Sequence, residues 1–307
     1  MSDYDDGVPQ AVVELAQASK RYGSVEALKA MDLSIPEGEM VAILGPNGAG
    51  KTTAISLMLG LRRVTTGQAR LFGMDPNDRR ARSRCGVMLQ ESGVNDVLKV
   101  REIVDLFRSY YPHPLPLDRA LGLAGLSEQA DRKVEQLSGG QKQRLYYALA
   151  ICGDPEVIFL DEPTVGMDVE ARRAFLASIR EFFRKGKTIL LTTHYLEEAD
   201  ELAERIIVID HGVIIADATP TQIKSRVAGK RVRFTSDRVL TETDFARLPF
   251  NHLEIDGERV KLLSNNPEEV LRALFSDGIG LRDLEVVGAD LEEAFIALTS
   301  RKAEVRQ

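Results

Sequence analysis

The stretch Gly45-Pro46-Asn47-Gly48-Ala49-Gly50-Lys51-Thr52-Thr53 limits what this chain can fold into more than any other. It follows the pattern G-x-x-x-x-G-K-[ST], in which the backbone amides of a glycine-rich loop cradle phosphates. Its flanks agree. Met40-Val41-Ala42-Ile43-Leu44, before it, is wholly apolar and reads as a strand buried on both faces. Ala54, Ile55, Leu57, Met58, Leu59 and Leu61, after it, make a helix apolar on nearly every side, hence also buried. Strand, loop and helix in that order aim amide N–H groups and a helix N-terminus at an anion. Lys51 adds a charge for the outer phosphates and Thr52 a hydroxyl for Mg2+. Roughly one chain in a hundred of this size would carry the pattern by chance, and the apolar flanks lower that further.

At 307 residues the chain suits two domains. Its net charge of −7 argues against a general nucleic-acid binder, which is usually basic. The two cysteines, Cys85 and Cys152, sit in apolar-patterned segments and read as buried thiols rather than a disulfide framework. The start, Met1-Ser2-Asp3-Tyr4-Asp5-Asp6, is acidic and polar, without a signal-peptide pattern. No apolar run approaches the roughly 20 residues that span a bilayer. The expectation is a chain on the cytoplasmic side, where ATP is available.

Alternating segments at Ala11 to Ala16 and Lys29 to Pro36 suggest antiparallel strands joined through Arg21-Tyr22-Gly23-Ser24. Tyr22 in such a loop can stack on a base or pack on its own strand. Gly67 to Gly73 reads as a short strand, Arg79, Arg80, Arg82 and Arg84 as a basic surface, and Cys85 to Leu89 as a strand ending in Gln90. Ile103, Val104, Phe107, Tyr110 and Tyr111 fall at helical spacing until the prolines 112, 114 and 116, and Leu117, Leu121, Leu123 and Leu126 continue a helical insertion. Apolar runs at Val157 to Leu160 and Ile189 to Leu191 are buried strands. Arg205 to Asp210 and Val213 to Ile215 flank His211-Gly212 as a hairpin. Strands alternating with helices imply a mostly parallel α/β core.

Three further stretches carry chemistry. Asp161 and Glu162 follow a buried strand, on the edge of the sheet where ligands bind. There Asp161 can hold Mg2+ and Glu162 can polarise the water that attacks a γ-phosphate. Leu137-Ser138-Gly139-Gly140-Gln141 precedes a helix and forms a second anion site without a lysine. His194 follows the strand Thr188 to Thr193 and can reach a γ-phosphate, and Gln90, also at a strand end, can touch the metal or the water.

At this point the set resembles the nucleotide-binding subunit of ATP-binding cassette (ABC) transporters, over about Val12 to Ile223. The resemblance rests on the Walker A loop Gly45 to Thr53, the Q-loop Gln90, the signature Leu137 to Gln141 followed by Gln143-Arg144, and the Walker B residues Asp161-Glu162. The D-loop around Asp168 and the switch His194 complete it, all in the family's order. It implies an α/β P-loop NTPase core with an antiparallel β subdomain and a helical signature subdomain. It also implies Tyr22 as the adenine-stacking aromatic, ATP and Mg2+ as ligands, and a head-to-tail homodimer. In that dimer Lys51 and Thr52 of one copy face Ser138 and Gly140 of the other, and Asp168 works across the interface. Where the family's D-loop commonly carries a serine after Pro-Thr, this chain has Val165.

The expected domains are residues 10–224, with the helical subdomain at about 91–145, and a small α/β domain at 225–307. In the latter, Arg231 to Thr235 and Val260 to Leu263 alternate as edge or half-buried strands. Asn266-Pro267-Glu268-Glu269 starts a helix with Leu271, Leu274 and Phe275 on its core face, and Asp290 opens a last helix packing Phe295 and Leu298. This layout resembles the drug and antibiotic exporter branch, whose membrane permease is a separate chain. The resulting expectation is an ATPase subunit, peripheral to the cytoplasmic face of the membrane and without nucleic-acid partners, that powers export. The alternatives are a soluble ABC ATPase on a cytoplasmic machine and an ATP-sensing scaffold without turnover.

Overall fold

The computed structural model describes residues 11–89, 93–225, 229–288 and 290–304. Gln90 lies outside the described residues. The chain divides into two compact units, the first ending at Thr219 and the second beginning at Pro220.

The first unit opens with two long strands, β1 (Ala11–Tyr22) and β2 (Val25–Pro36), paired antiparallel around a two-residue turn. Tyr22 is therefore the last residue of a strand, opposite Val25, rather than a loop residue. The apolar β3 (Met40–Leu44) leads through the glycine loop into α1 (Lys51–Met58). That helix is shorter than its apolar pattern suggests, and Leu61 lies beyond it, half exposed. Strand β4 (Thr66–Leu71) joins the other edge of β1, giving a three-stranded antiparallel sheet in the order β2-β1-β4.

After a short α2 (Arg79–Arg82) comes β5 (Cys85–Met88). Two of the four arginines of the basic surface expected here are ion-paired within the chain. Arg80 pairs with Asp78, and Arg84 forms a two-pronged ion pair with Glu156 while lying over the Phe72 ring. The helical insertion consists of α3 (Val100–Arg108), α4 (Leu117–Leu123), two single turns and α5 (Gly139–Ile151). Tyr110 falls just past α3 and is exposed, so it is no part of that helix's core face.

The core sheet is completed by β6 (Val157–Asp161), α6 (Val169–Phe183), β7 (Thr188–Thr192), α7 (Leu196–Leu202), β8 (Arg205–Asp210) and β9 (Val213–Ala218). Its order is β5-β6-β7-β3-β8-β9, parallel except for the β8-β9 hairpin at His211-Gly212. β3, β6 and β7 are buried at every position, as strands covered on both faces must be. Gly86 explains how tightly α5 lies on β5: a Cβ there would stand 2.2 Å from the Ala150 carbonyl oxygen. Both cysteines are buried free thiols, and burial pushes the titration of each upward.

The second unit begins with α8 (Pro220–Ser225) and contains β10 (Lys230–Ser236), α9 (Glu242–Phe245), β11 (His252–Asp256), β12 (Arg259–Ser264), α10 (Pro267–Ser276), β13 (Leu281–Gly288) and α11 (Leu291–Glu304). Its boundary falls one helical turn before the expected residue 225, because α8 packs with α11 inside this unit. The four-stranded antiparallel sheet has the order β11-β12-β10-β13. Of the two expectations for Arg231 to Thr235 and Val260 to Leu263, edge or half-buried, the second holds: β10 and β12 are the central strands, each burying one face, with Val232, Phe234, Val260 and Leu262 in the core. Val270 and Leu274 bury the face of α10, whereas Phe275 is 56 % exposed and points away from that core. Among the described residues, no helix is long and apolar enough to cross a membrane.

Candidate nucleotide site

The parallel order brings three strand ends together. β3, β7 and β6 are neighbours, so the loop after Leu44, the segment after Thr192 and the pair Asp161-Glu162 share one edge of the sheet. The loop is closed by hydrogen bonds from Ala49 N to Pro46 O (3.1 Å) and from Ala54 N to Gly50 O (2.8 Å). It is fastened to the β8-β9 hairpin by Gly212 N donating to Ala49 O (2.9 Å). Gly45 must lack a side chain, since a Cβ would come within 2.2 Å of the Ile209 carbonyl oxygen. Gly45→Ala is expected to force strand and loop apart and to lower stability by about 1–3 kcal/mol, measurable by denaturant unfolding; an unchanged midpoint would mean the loop tolerates the methyl group.

Lys51 is buried and donates from Nζ to the carbonyl oxygens of Gly45 (2.7 Å) and Pro46 (3.1 Å). Burial lowers its pKa, opposed by the nearby carboxylates of Glu162 and Asp161, which favour the charged form. The ammonium is therefore already aimed into the loop that would hold phosphates. Asp161, also buried, accepts a hydrogen bond from Thr192 Oγ1 across the β6-β7 pairing. Glu162 has φ of 52°, a left-handed conformation unusual for a non-glycine residue, and its N–H is held by both Thr192 O and Thr192 Oγ1 at 3.1 Å. The kink carries the Glu162 carboxylate to His194 Nε2, the two side chains being in direct contact. Glu162 is 10 % exposed and His194 45 %, so the pair lies open on one side.

The hydroxyl of Thr52 and the carboxylate of Asp161 suit Mg2+, which is commonly bound by one or two protein oxygens with the rest supplied by phosphates and waters. Lys51, Asp161, Glu162 and His194 thus gather on one edge with the loop from Gly45 to Thr53.

Ser138, Gly139, Gly140 and Gln141 gather elsewhere. Ser138 caps α5, its Oγ accepting from Gln141 N (3.3 Å) while Gln141 Oε1 accepts from Ser138 N (3.0 Å). Asp168 caps α6 through Ala171 N (2.7 Å). These residues line a hollow of about 690 Å3 with Gly125, Arg144 and Gly166, and no residue of the glycine loop lines it. Tyr22 is 43 % exposed with the Lys20 ammonium 5.1 Å from its ring.

Sequence reasoning missed a second layer. Glu198, on the first turn of α7, is buried and accepts from Thr164 Oγ1 and Thr193 Oγ1, each at 2.7 Å. The stretch Leu196-Glu197-Glu198 offers only acids at a helix start, a dipole and capping signal that does not separate the exposed Glu197 from the buried Glu198.

Residues 28–165 match the ABC transporter family. Nod factor export ATP-binding protein I of Burkholderia lata is 36 % identical over 305 residues, covering 97 % of this chain and all of that protein. Daunorubicin resistance ATP-binding protein DrrA2 of Streptomyces coeruleorubidus is 36 % identical over 308 residues, covering 93 % and 94 %. Among solved structures, an ATP-binding subunit of an ABC transporter superposes with a TM-score of 0.64 at 26 % identity, over 70 % of this chain and 92 % of that one. The dimeric cassette MJ0796, in a post-hydrolysis state with ADP and Pi, gives 0.61 at 28 %, over 67 % and 98 %.

Proposed function

Because the chain belongs to the ABC transporter family, as an ATP-hydrolysing subunit of exporter type, we propose that two copies of it close head to tail around two ATP molecules and drive export through a separate membrane permease. One observation carries the reading. Each copy has a complete phosphate loop with its lysine at one place and a lysine-free helix N-terminus, Ser138 to Gln141, at another. A two-fold pairing lets each incomplete element finish the other copy's site.

In this arrangement the amides of Gly45 to Thr53 and the Lys51 ammonium take the β- and γ-phosphates, and Tyr22 stacks on the adenine. Thr52 and Asp161 would hold Mg2+, and Gln90 is assigned to the metal or the water by the family resemblance alone; the ion would supply neutralisation of phosphate charge. Glu162 orients the attacking water and accepts its proton, and His194 holds the Glu162 carboxylate and the γ-phosphate in register. Ser138, Gly139, Gly140 and Gln141 of the facing copy donate to the γ-phosphate from the opposite side, with Asp168 contacting across the interface. The relatives named for Nod factor export and daunorubicin resistance support a drug, antibiotic, lipid or similar molecule as cargo.

Ser138→Arg tests the division of labour. In a dilute subunit it is expected to leave ATP affinity within about twofold, since its own loop is untouched, and to abolish the nucleotide-dependent dimer and hydrolysis. Equilibrium binding and analytical ultracentrifugation separate the two effects. A variant that loses ATP affinity as a monomer would place the signature in the same copy's site and overturn the head-to-tail reading.

A further inference from the structure

The two loops that meet at the nucleotide edge are tied together by one buried carboxylate. Thr164 stands two residues after Glu162 in the turn leading to Asp168, and Thr193 immediately precedes His194. Both hydroxyls donate to Glu198, one to each oxygen, at 2.7 Å. A third element joins them. Arg172 lies on α6, its N–H bonded to the Asp168 carbonyl (2.9 Å), with its Nε 3.6 Å from Glu198 Oε1 and its guanidinium stacked 3.8 Å from the Tyr195 ring. Thr193 Oγ1 also accepts from Tyr195 N (2.9 Å), so the hydroxyl that reaches Glu198 fixes the backbone on both sides of His194.

The same block reaches the signature. A Cβ on Gly140 would meet Met167 Cγ at 3.6 Å and Ala171 Cβ at 3.9 Å, so the start of α5 rests on the turn before α6. The route from Gly140 to His194 passes over Met167, then through the backbone hydrogen bond from Met167 N to Thr164 O (3.1 Å) and the two hydroxyl bonds on Glu198 to Thr193, the residue before His194. A carboxylate with side-chain exposure of 3 % is costly to bury unless its partners are held in place. The arrangement is over-determined for a helix cap and suits a clamp that moves as one piece.

We propose that Glu198 is a positioning residue that locks the turn from Thr164 to Asp168 to the switch His194, so that engagement of one copy's signature and Asp168 with the facing nucleotide is transmitted to the His194–Glu162 contact already present in the same copy. This inference rests on the two-copy reading above and adds to it a specific route by which one nucleotide site senses the other. It predicts loss of turnover and of cooperativity with little loss of ATP affinity.

Three variants test it: Thr164→Val, Glu198→Gln and Glu198→Ala. Threonine hydroxyls can donate or accept, so Gln keeps both bridges and gives up only the charge facing Arg172. Thr164→Val removes one bridge without changing side-chain volume, and is expected to lower kcat about tenfold, the equivalent of one hydrogen bond. Its KM for ATP should stay within about twofold, with the Hill coefficient falling toward one. Glu198→Ala should be slower still, and Glu198→Gln should recover most of the difference. Because Glu198→Ala strands two buried hydroxyls and so costs folding stability as well, Thr164→Val, read beside its own unfolding curve, decides independently. Wild-type kcat and Hill coefficient in Thr164→Val, or a Glu198→Gln as impaired as Glu198→Ala, would overturn the clamp. A wild-type protein that dimerises and hydrolyses ATP without any cooperativity would also overturn it while leaving the two-copy reading intact.

Discussion

Glu162→Gln is expected to retain ATP and lose hydrolysis by about 10²–10⁴-fold, the range for removing a positioned general base. The amide keeps the size of the carboxylate and can still meet His194, so the left-handed turn at residue 162 and its two bonds to Thr192 should survive. What it loses is the ability to take a proton. With chemistry blocked, the closed pair of subunits should persist, so gel filtration with Mg-ATP should give a dimer and phosphate release should fall to background. Hydrolysis at the wild-type rate would remove Glu162 from the mechanism.

Lys51→Ala is expected to weaken ATP binding by about 10²-fold or more, on two counts. It removes a charge-assisted contact to phosphate, worth about 1.5–3 kcal/mol. It also uncovers Asp161 and Glu162, whose negative charge Lys51 offsets in the resting protein, to face the triphosphate directly. The carbonyls of Gly45 and Pro46 lose their donor as well, so stability should drop modestly and binding must be measured well below the unfolding transition. Titration with a fluorescent nucleotide decides it: affinity within threefold of wild type would mean that the loop amides alone carry the phosphates.

The nucleotide edge was legible because each of its parts is written locally. A glycine loop, a carboxylate or a histidine after an apolar run needs only chain order to be placed at a strand end. Less legible were features set by neighbours far away in sequence. Strands β1 and β2 run through bulges, so their alternation breaks and only their first and last parts read as strands. β13 is exposed along most of its length and carries little pattern to find. Tyr110 and Phe275 are aromatic at helical spacing yet exposed, since periodicity alone does not say where a helix's partner ends. The arginines near residue 80 do form a surface, but that Asp78 and Glu156 pair with two of them was not legible locally. Glu198 was invisible for the opposite reason: its partners Thr164 and Thr193 lie on separate loops, and nothing local distinguishes a buried acid from a solvated one.

The connection between β5 and β6 has a mechanical implication. These neighbouring parallel strands need only a single crossover, and α5 supplies it, its last turn pressed onto Gly86. The segment carrying α3 and α4 is therefore a detour inserted before a crossover that is already sufficient; it contributes no strand to the sheet and is tied to the end of α5 by Leu115 N donating to Cys152 O (2.8 Å). A load applied to that detour would therefore be borne first by α5, whose N-terminus is capped by Ser138.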